Sequence, residues 1–166
     1  MISPEVLRRY PLFAGQSEQM LAKIAMLSNE SEVAEGEWIF HENADATHFY
    51  IILEGKIALT MYLVYQGVGK QLKTSASLGK GELLGWSALV FPHHYKLGAL
   101  AETNSRLLMI NGVDLRKLLD DNPEYGYLFM KLIAEEISDR LEHKIIQVLS
   151  LVIDGEEIEK LRTSVE

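Results

Sequence analysis

The sequence predicts a mainly β domain of the double-stranded β-helix or jelly-roll type, with flanking helices and a long C-terminal helix. Between residues 33 and 110, short runs of β-branched, aromatic and aliphatic residues alternate with turn residues, at intervals of about 8 to 12. On both sides of this stretch the apolar residues recur at helical spacing instead. The prediction therefore depends on a change of period from helix to strand and back.

Two short helices are expected before the β region. The first should begin at Ser3-Pro4-Glu5, which places a hydroxyl at the cap, proline at the first helical position and an acid in the first turn. Pro11 is expected to end this helix. The second is predicted from Ser17 to about Ser28, because its apolar residues form one stripe.

Strands and turns in the β region are predicted from composition. The runs that favour strands are Glu32–Glu35, Glu37–Phe40, Phe49–Leu53, Ile57–Tyr65, Lys70–Leu78, Leu97–Ala101 and Ser105–Ile110. Turns are expected where Gly or Asn can take a positive φ, at Glu35-Gly36, Glu54-Gly55, Gly67–Gly69, Asn104 and Asn111-Gly112. Many short antiparallel strands with glycine at their corners are typical of a jelly roll or a small barrel.

Helical periodicity returns after the β region. A short leucine-rich helix is expected before Pro123, and a long helix should run from Pro123 to at least Ser150. We expect Asp154-Gly155 to end the long helix. The predicted domain is therefore residues 1–154, and residues 155–166 form a short acidic tail.

The second half of the long helix carries a narrow apolar stripe. Its spacing is the two-in-seven pattern of a coiled coil, and its members are Ala134, Ile137, Leu141, Val148 and Leu151. A narrow stripe suits a partner helix, so we predict a homodimer with Ile137, Leu141 and Val148 in its interface. The alternative is a longer helix docked on its own domain.

Composition excludes several classes of protein. The 166 residues contain no cysteine, which rules out a disulfide framework, a thiolate nucleophile and a cysteine-based zinc site, and is compatible with a cytoplasmic protein. A net charge of −8 opposes attraction to nucleic-acid phosphates. Nowhere do the ~18 consecutive apolar residues of a transmembrane helix stand together. We therefore expect no direct nucleic-acid or membrane partner.

A glycine-rich stretch after the fifth predicted strand is the main candidate for a binding site. Gly79 and Gly81 permit a sharp bend, and Leu83–Leu89 is long enough for one or two helical turns. Free N–H groups at the start of a short helix bind anions, and the carboxylate of Glu82 accepts strong hydrogen bonds. This combination suits a sugar-phosphate. The alternative is a strand crossover with a surface glutamate.

Several motifs resemble those of one known family. They are Leu12-Phe13, Gly36-Glu37-Trp38-Ile39-Phe40-His41-Glu42, Ala44-Asp45-Ala46, Phe49-Tyr50-Ile51-Ile52-Leu53-Glu54-Gly55-Lys56-Ile57 and Gly81-Glu82-Leu83-Leu84. Together with the order of elements, they resemble the cyclic nucleotide-binding domain superfamily over roughly residues 8 to 145. That superfamily includes the sensor modules of the catabolite activator protein and of the protein kinase A regulatory subunit. Here the likeness is to a stand-alone sensor domain without a helix-turn-helix.

The resemblance implies a regulatory module for signal transduction that encloses a small anionic ligand, such as a cyclic nucleotide, and couples it to the C-terminal helices. Glu82 would accept the ribose 2′-hydroxyl, and N–H groups from Leu84 to Ala88 would contact phosphate. The implied ligand-binding residues are Gly81, Glu82, Leu83, Leu84, Gly85, Trp86, Ser87, Ala88, Tyr95 and Lys96. Trp86 would either stack on the ligand or fill the cavity.

The sequence departs from the family where phosphate would bind. Family members that bind cyclic AMP usually have an arginine at the far end of this segment, and alignment places Tyr95 or Lys96 there. No arginine lies between Arg9 and Arg106. Lysine is a flexible point charge without the planar fork of arginine. We therefore expect weak binding of cyclic AMP or cyclic GMP, with His93 and His94 assisting if protonated.

Two other functions are compatible with parts of the sequence. A degenerate domain with a plugged pocket would serve as a dimerisation or interaction scaffold. The run from His48 to Gly55 is superficially similar to a strand of a cupin-type metal enzyme, but the sequence has no His-x-His pair.

Neither catalysis nor direct DNA recognition is expected. The sequence has no nucleophile–base pair and no paired acids at a catalytic spacing, so we predict no enzymatic activity, no metal and no cofactor. The residues after Asp154 are acidic and show no helix-turn-helix pattern, so we expect no sequence-specific DNA binding by this polypeptide. The expected partners are a small ligand, a second copy of the chain and a downstream regulatory protein.

Overall fold

The chain folds into two antiparallel sheets with helices at both ends, which confirms the predicted fold class. A computed structural model describes the backbone of residues 2–67 and 69–163 and the side chains of residues 2–67 and 69–150. The helices are α1 Pro4–Leu7, α2 Glu18–Leu27, α3 Gly112–Asp120 and α4 Pro123–Thr163. The strands are β1 Ser28–Val33, β2 Trp38–Phe40, β3 His48–Glu54, β4 Ile57–Tyr65, β5 Gly69–Leu78, β6 Leu83–Leu84, β7 Gly98–Ala101 and β8 Ser105–Asn111.

Each sheet has four strands, in the orders β1-β8-β3-β6 and β2-β7-β4-β5. All the pairings are antiparallel, and strands that are neighbours in a sheet are mostly distant in the sequence. Two register pairs position the sites described below. Tyr50 lies opposite Leu84 between β3 and β6, and Thr60 lies opposite Gly98 between β4 and β7.

Apolar side chains from both sheets form one buried cluster, which we call the roll interior. Its buried members are Ala46, Tyr50, Ile52, Ile57, Leu59, Leu78, Leu84, Ala88, Tyr95, Ala99, Ala101 and Leu107. Six partly buried residues pack against them: Val33, Ile39, Phe40, Ala76, Leu97 and Met109. Because side chains alternate along a strand, the residues next to Leu59 on β4 and next to Ala99 on β7 face away from the roll interior.

The predicted helix caps are confirmed, but the first helix is shorter than expected. The hydroxyl of Ser3 accepts a hydrogen bond from the N–H of Glu5 at 3.2 Å, and that of Ser17 accepts one from Met20 at 3.2 Å. Helix α1 ends at Leu7, and Pro11 begins a separate 3₁₀ turn instead of ending the helix. Proline is suited to this role because its fixed φ is that of a first helical residue.

Strand pairing changes two of the predicted boundaries. Strand β1 lies earlier than predicted, because residues 28–33 pair along their whole length with β8. Leu83 and Leu84 belong to β6, which pairs with β3, and only Trp86–Ala88 forms a 3₁₀ turn. The helical turns predicted from Leu83 therefore start later and are shorter. Neither boundary could be read from local composition, because the partner strand decides it.

The conformation expected at two asparagines is also corrected. Asn104 lies in the connection between β7 and β8, as predicted, but among the described non-glycine residues positive φ occurs at Asn43 and His93 and not at Asn104 or Asn111. Asn111 is instead the N-cap of α3, and its side-chain oxygen accepts hydrogen bonds from the N–H groups of Val113 at 2.9 Å and Asp114 at 3.2 Å.

The described chain divides into two compact units, Met1–Gly126 and Tyr127–Glu166. The described part of the second unit is α4 from Tyr127 onward. Helix α4 continues through Asp154 and Gly155, so the predicted end of the helix is wrong. An interior glycine costs a helix only about 1 kcal/mol and does not by itself stop it. The division into residues 1–154 and a tail stays a prediction, and residues 164–166 lie outside the described part. Across the described helices, none combines the length and apolar character needed to cross a membrane.

Candidate functional site

The loop that carries Glu82 is fastened to strand β3. Gly81 has a φ of 90° and donates its N–H to the carbonyl of Ile52 at 2.8 Å, and Ile52 donates in return to the carbonyl of Glu82 at 3.0 Å. The carboxylate Oε2 of Glu82 accepts the N–H of Gly79 at 2.7 Å. One carboxylate oxygen of Glu82, the residue predicted to bind a ribose hydroxyl, therefore already accepts a hydrogen bond from its own loop.

Gly85 cannot be replaced by another residue without strain. Its φ is 78°, in the left-handed region. A Cβ there would lie 2.7 Å from the carbonyl oxygen of His48 and 3.1 Å from the ring of Tyr50. Glycine therefore allows the chain to turn sharply out of β6 while touching β3.

The 3₁₀ turn Trp86–Ala88 uses some of the N–H groups that were predicted to contact phosphate. The N–H of Ala88 donates to the carbonyl of Gly85 at 2.9 Å and closes the turn. Ala88 is part of the roll interior, whereas Trp86 and Ser87 are half-buried. The guanidinium of Arg116 on α3 donates to the carbonyl of Ala88. This link was missed, because nothing in the sequence pairs residue 116 with residue 88.

Tyr95 is built into the roll interior. Its side chain is 3% exposed, and its ring stacks on that of Phe40 with centroids 3.7 Å apart and an angle of 12°. The phenol accepts the N–H of His48 at 3.1 Å and donates to the His48 carbonyl at 2.9 Å. Burial, together with the nearby Tyr95, holds the pKa of the Tyr50 phenol above its ordinary value. The Tyr50 phenol is therefore neutral at physiological pH.

The two positions aligned with the missing arginine therefore differ in environment. Tyr95 is buried and makes its hydrogen bonds with backbone, whereas Lys96 is exposed. Only Lys96 of this pair presents a charge at the surface. Whether that charge faces a ligand stays a prediction, as do the other ligand-binding assignments.

The two loop histidines hold the chain segment that precedes β3. The Nδ1 of His94 lies 3.1 Å from a carboxylate oxygen of Asp45, and the carbonyl of His93 accepts the N–H of Ala46 at 2.7 Å. His93 has a φ of 58°. These contacts give both residues a place in the loop structure that does not depend on an anion.

The cupin-type site has no counterpart in the described part of the chain. Within residues 2–67 and 69–150, no group of three or more His, Cys, Asp or Glu side chains is placed to hold a metal ion. The ring of His41 instead packs on Trp38, with centroids 4.5 Å apart.

Comparison with known proteins identifies the family. The family described as the cyclic nucleotide-binding domain matches residues 30–122, which include both sheets from β2 to β8 and helix α3. The chain belongs to the cyclic nucleotide-binding domain family. The expected resemblance is thus confirmed.

Solved structures and curated sequences contain relatives of this cyclic nucleotide-binding domain. The structure of a "Putative Cyclic nucleotide-binding protein" from Geobacter metallireducens is 35% identical, covers 85% of this chain and 99% of its own, and superposes with a TM-score of 0.73. A "Putative potassium channel protein" of Rhodopseudomonas palustris is 26% identical over 153 residues, 92% of this chain. A cGMP-dependent protein kinase of Drosophila melanogaster is 31% identical over 85 residues, 51% of this chain.

The curated relatives are much longer than the part that this domain matches. The match covers 34% of the length of the channel protein and 9% of the length of the kinase. In these relatives the cyclic nucleotide-binding domain is one part of a larger polypeptide.

Proposed function

We propose that this cyclic nucleotide-binding domain is a non-enzymatic sensor module that takes a small anionic ligand and binds cyclic AMP and cyclic GMP only weakly. The observation that carries the proposal is the burial of Tyr95. A cyclic phosphate needs a cation to offset its charge, and arginine supplies a planar pair of donors for two phosphate oxygens. The phenol of Tyr95 accepts the N–H of His48 and donates to its carbonyl, and it offers a ligand no positive charge.

The remaining groups support weak binding of an anion. Lys96 is exposed and carries a positive charge, but an ammonium group lacks the fixed geometry of a guanidinium. Glu82 keeps a second carboxylate oxygen besides the one bonded to Gly79, and this oxygen is the proposed acceptor for a ribose hydroxyl. Binding that depends on a solvated lysine is weakened by salt.

We also propose that the module is a cytoplasmic homodimer that passes its signal to a downstream regulatory protein. Apolar side chains are exposed along α4: Ile137 at 39%, Leu141 at 58% and Val148 at 58%. Exposed apolar residues in a heptad pattern are typical of a helix that pairs with another helix. The side chain of Leu151, which continues the pattern, lies outside the described residues.

A second candidate function is a dimerisation or interaction scaffold whose pocket is plugged. The dense packing of the roll interior around Tyr95 and Phe40 favours it. The two functions share the fold and differ in whether a small molecule enters the roll.

Titration calorimetry and thermal shift with cyclic AMP and cyclic GMP test the sensor proposal. A ligand present at a hundredfold over its Kd adds about 2.7 kcal/mol of stability, a shift of roughly 5 to 10 °C for a domain of this size. We expect a much smaller, salt-sensitive shift for the wild type. Lys96→Arg should increase it, and Lys80→Arg, a change at another exposed lysine, should not.

Two further variants decide the outcome. Adding Glu82→Gln to Lys96→Arg should weaken binding again, and the Gln side chain keeps an acceptor for the Gly79 N–H. Tyr95→Arg tests the other aligned position. A large wild-type shift that Glu82→Gln leaves unchanged would refute the proposed site. An absence of any response in all variants would favour the scaffold.

A further inference from the structure

The outer face of the sheet β2-β7-β4-β5 contains a small cleft of about 90 Å³. Its floor belongs to β4 and β7. Leu59 and Ala99 belong to the roll interior. Thr60 follows Leu59 and Gly98 precedes Ala99, so the alternation of faces along a strand places both on the opposite face. The cleft is therefore separate from the proposed nucleotide site and its argument does not depend on that site.

An unpaired hydroxyl forms the floor of this cleft. Thr60 is 2% exposed, and its Oγ1 is buried without a hydrogen-bond partner. A Cβ on Gly98 would lie 2.7 Å from the Trp38 ring and 3.0 Å from this Oγ1, so only glycine allows the ring and the hydroxyl to pack this close to the strand. Burying a hydroxyl without a partner is unfavourable by about 1–3 kcal/mol. A hydroxyl in that position, next to a cavity, is suited to a bound molecule.

Two opposite charges line the same cleft, and both are held in place by Tyr62. The carboxylate of Glu42 accepts the backbone N–H of Tyr62 at 3.0 Å. The ammonium of Lys70 lies 4.1 Å from the centroid of the Tyr62 ring. Trp38 and Leu72 supply apolar walls. The cleft thus combines a carboxylate that can bind a cation, an ammonium group that can bind an anion, a hydroxyl and an apolar surface.

We propose that this cleft binds a small zwitterion of the free amino acid class. The ligand's ammonium group would bond to Glu42, its carboxylate to Lys70, and one of these polar groups or a side-chain hydroxyl would satisfy Thr60. A cleft of about 90 Å³ suits a molecule of a few heavy atoms and favours an amino acid over a nucleotide. A molecule that carries both charges can contact both Glu42 and Lys70, whereas an ion of one sign can contact only one of them, so a zwitterion fits best.

Substitution of the floor hydroxyl tests the proposal. Thr60→Val keeps the shape of the side chain and removes its oxygen, and Lys70→Gln removes the rim cation from an exposed position. Thr74→Val is the matched control, because Thr74 lies opposite Thr60 on β5 and is exposed. The probes are glycine, L-alanine and L-serine. Acetate and methylammonium are tested beside them, because each carries only one of the two charged groups of an amino acid. Binding is measured by calorimetry and thermal shift on the full chain after dialysis.

We expect saturable binding of at least one amino acid to the wild type and to Thr74→Val. Thr60→Val and Lys70→Gln should each weaken it by about tenfold, the value of one hydrogen bond of about 1.4 kcal/mol. Without ligand, Thr60→Val should raise the Tm, because it removes an unpaired buried hydroxyl.

Three outcomes would overturn the proposal. The first is the absence of saturable binding by any amino acid at millimolar concentration, which would assign the cleft to water. The second is equal binding of acetate or methylammonium alone, which would indicate a simple ion site. The third is a Tm that falls in unliganded Thr60→Val, because the hydroxyl would then already have a partner.

Discussion

The phenol of Tyr95 and the backbone of His48 form a reciprocal pair of hydrogen bonds, one accepted at 3.1 Å and one donated at 2.9 Å. The pair joins the chain after the 3₁₀ turn to the first residue of β3. A side chain that could have contacted an anion is thereby used to fix the start of a strand. At this position the side chain serves the structure of the roll.

Tyr95→Phe should lower the free energy of unfolding by about 1–3 kcal/mol, because it deletes both hydrogen bonds and leaves the ring packing on Phe40 in place. Urea denaturation measures the change. Tyr65→Phe, at a tyrosine that is 42% exposed, is the control and should be nearly neutral. Equal effects of the two substitutions would mean that the phenol contributes nothing specific to the site.

Gly85→Ala should destabilise the domain more than Gly36→Ala. Both glycines have positive φ, so both substitutions carry the same backbone strain of about 1–2 kcal/mol. At Gly36 a Cβ meets nothing within 4 Å, whereas at Gly85 it meets the carbonyl of His48 at 2.7 Å. The difference between the two variants in denaturant midpoint isolates the steric part. If the two midpoints coincide, the contact between the 3₁₀ turn and β3 is not tight.

Stability should fall below about pH 6.5 in a way that depends on His48. Burial lowers the pKa of this histidine in the folded protein, so the unfolded chain takes up the proton first as the pH decreases. The stabilising contribution is complete above the unfolded pKa of about 6.5 and is lost as the pH falls toward the folded value. His48→Gln should flatten the profile of unfolding free energy in this range, and His143→Gln, at an exposed histidine of α4, should not.

Ile137→Asp should convert a dimer into a monomer. The carboxylate would lie without a partner in the proposed helix interface, at a cost of several kcal/mol. Light scattering distinguishes the two states, and Ser138→Asp, at the exposed neighbouring residue, should leave the dimer intact. A wild type that is monomeric at tens of micromolar would remove the homodimer from the proposed function.

The fold could be predicted because several local signals agree. Strand β4 was predicted with its observed bounds, Ile57–Tyr65, and the glycine turns at Gly36 and Gly55 have the positive φ that was expected. The caps at Ser3 and Ser17 depend on hydrogen bonds between residues two or three apart. Short-range chemistry of this kind is contained in the sequence itself.

The details of the candidate sites depend on contacts between distant residues. Tyr95 and Lys96 are adjacent in sequence, and only the stacking on Phe40 and the bonds to His48 decide which of them is buried. The two-residue strand β6 exists because β3 pairs with it, and its own composition was equally compatible with a helix. The unpaired hydroxyl of Thr60 gives no signal in the sequence, because a threonine in a strand usually finds a partner.

The hydrogen bond from Arg116 on α3 to the carbonyl of Ala88 connects helix α3 to the 3₁₀ turn. A molecule that displaces the 3₁₀ turn must also displace or break this bond and so change the free energy of α3. By thermodynamic reciprocity, if a ligand that displaces the turn changes how tightly a protein binds α3, that protein changes the affinity for the ligand by the same factor. Under the proposed sensor function, an effector can therefore be a partner protein on the helix just as well as a small molecule in the roll.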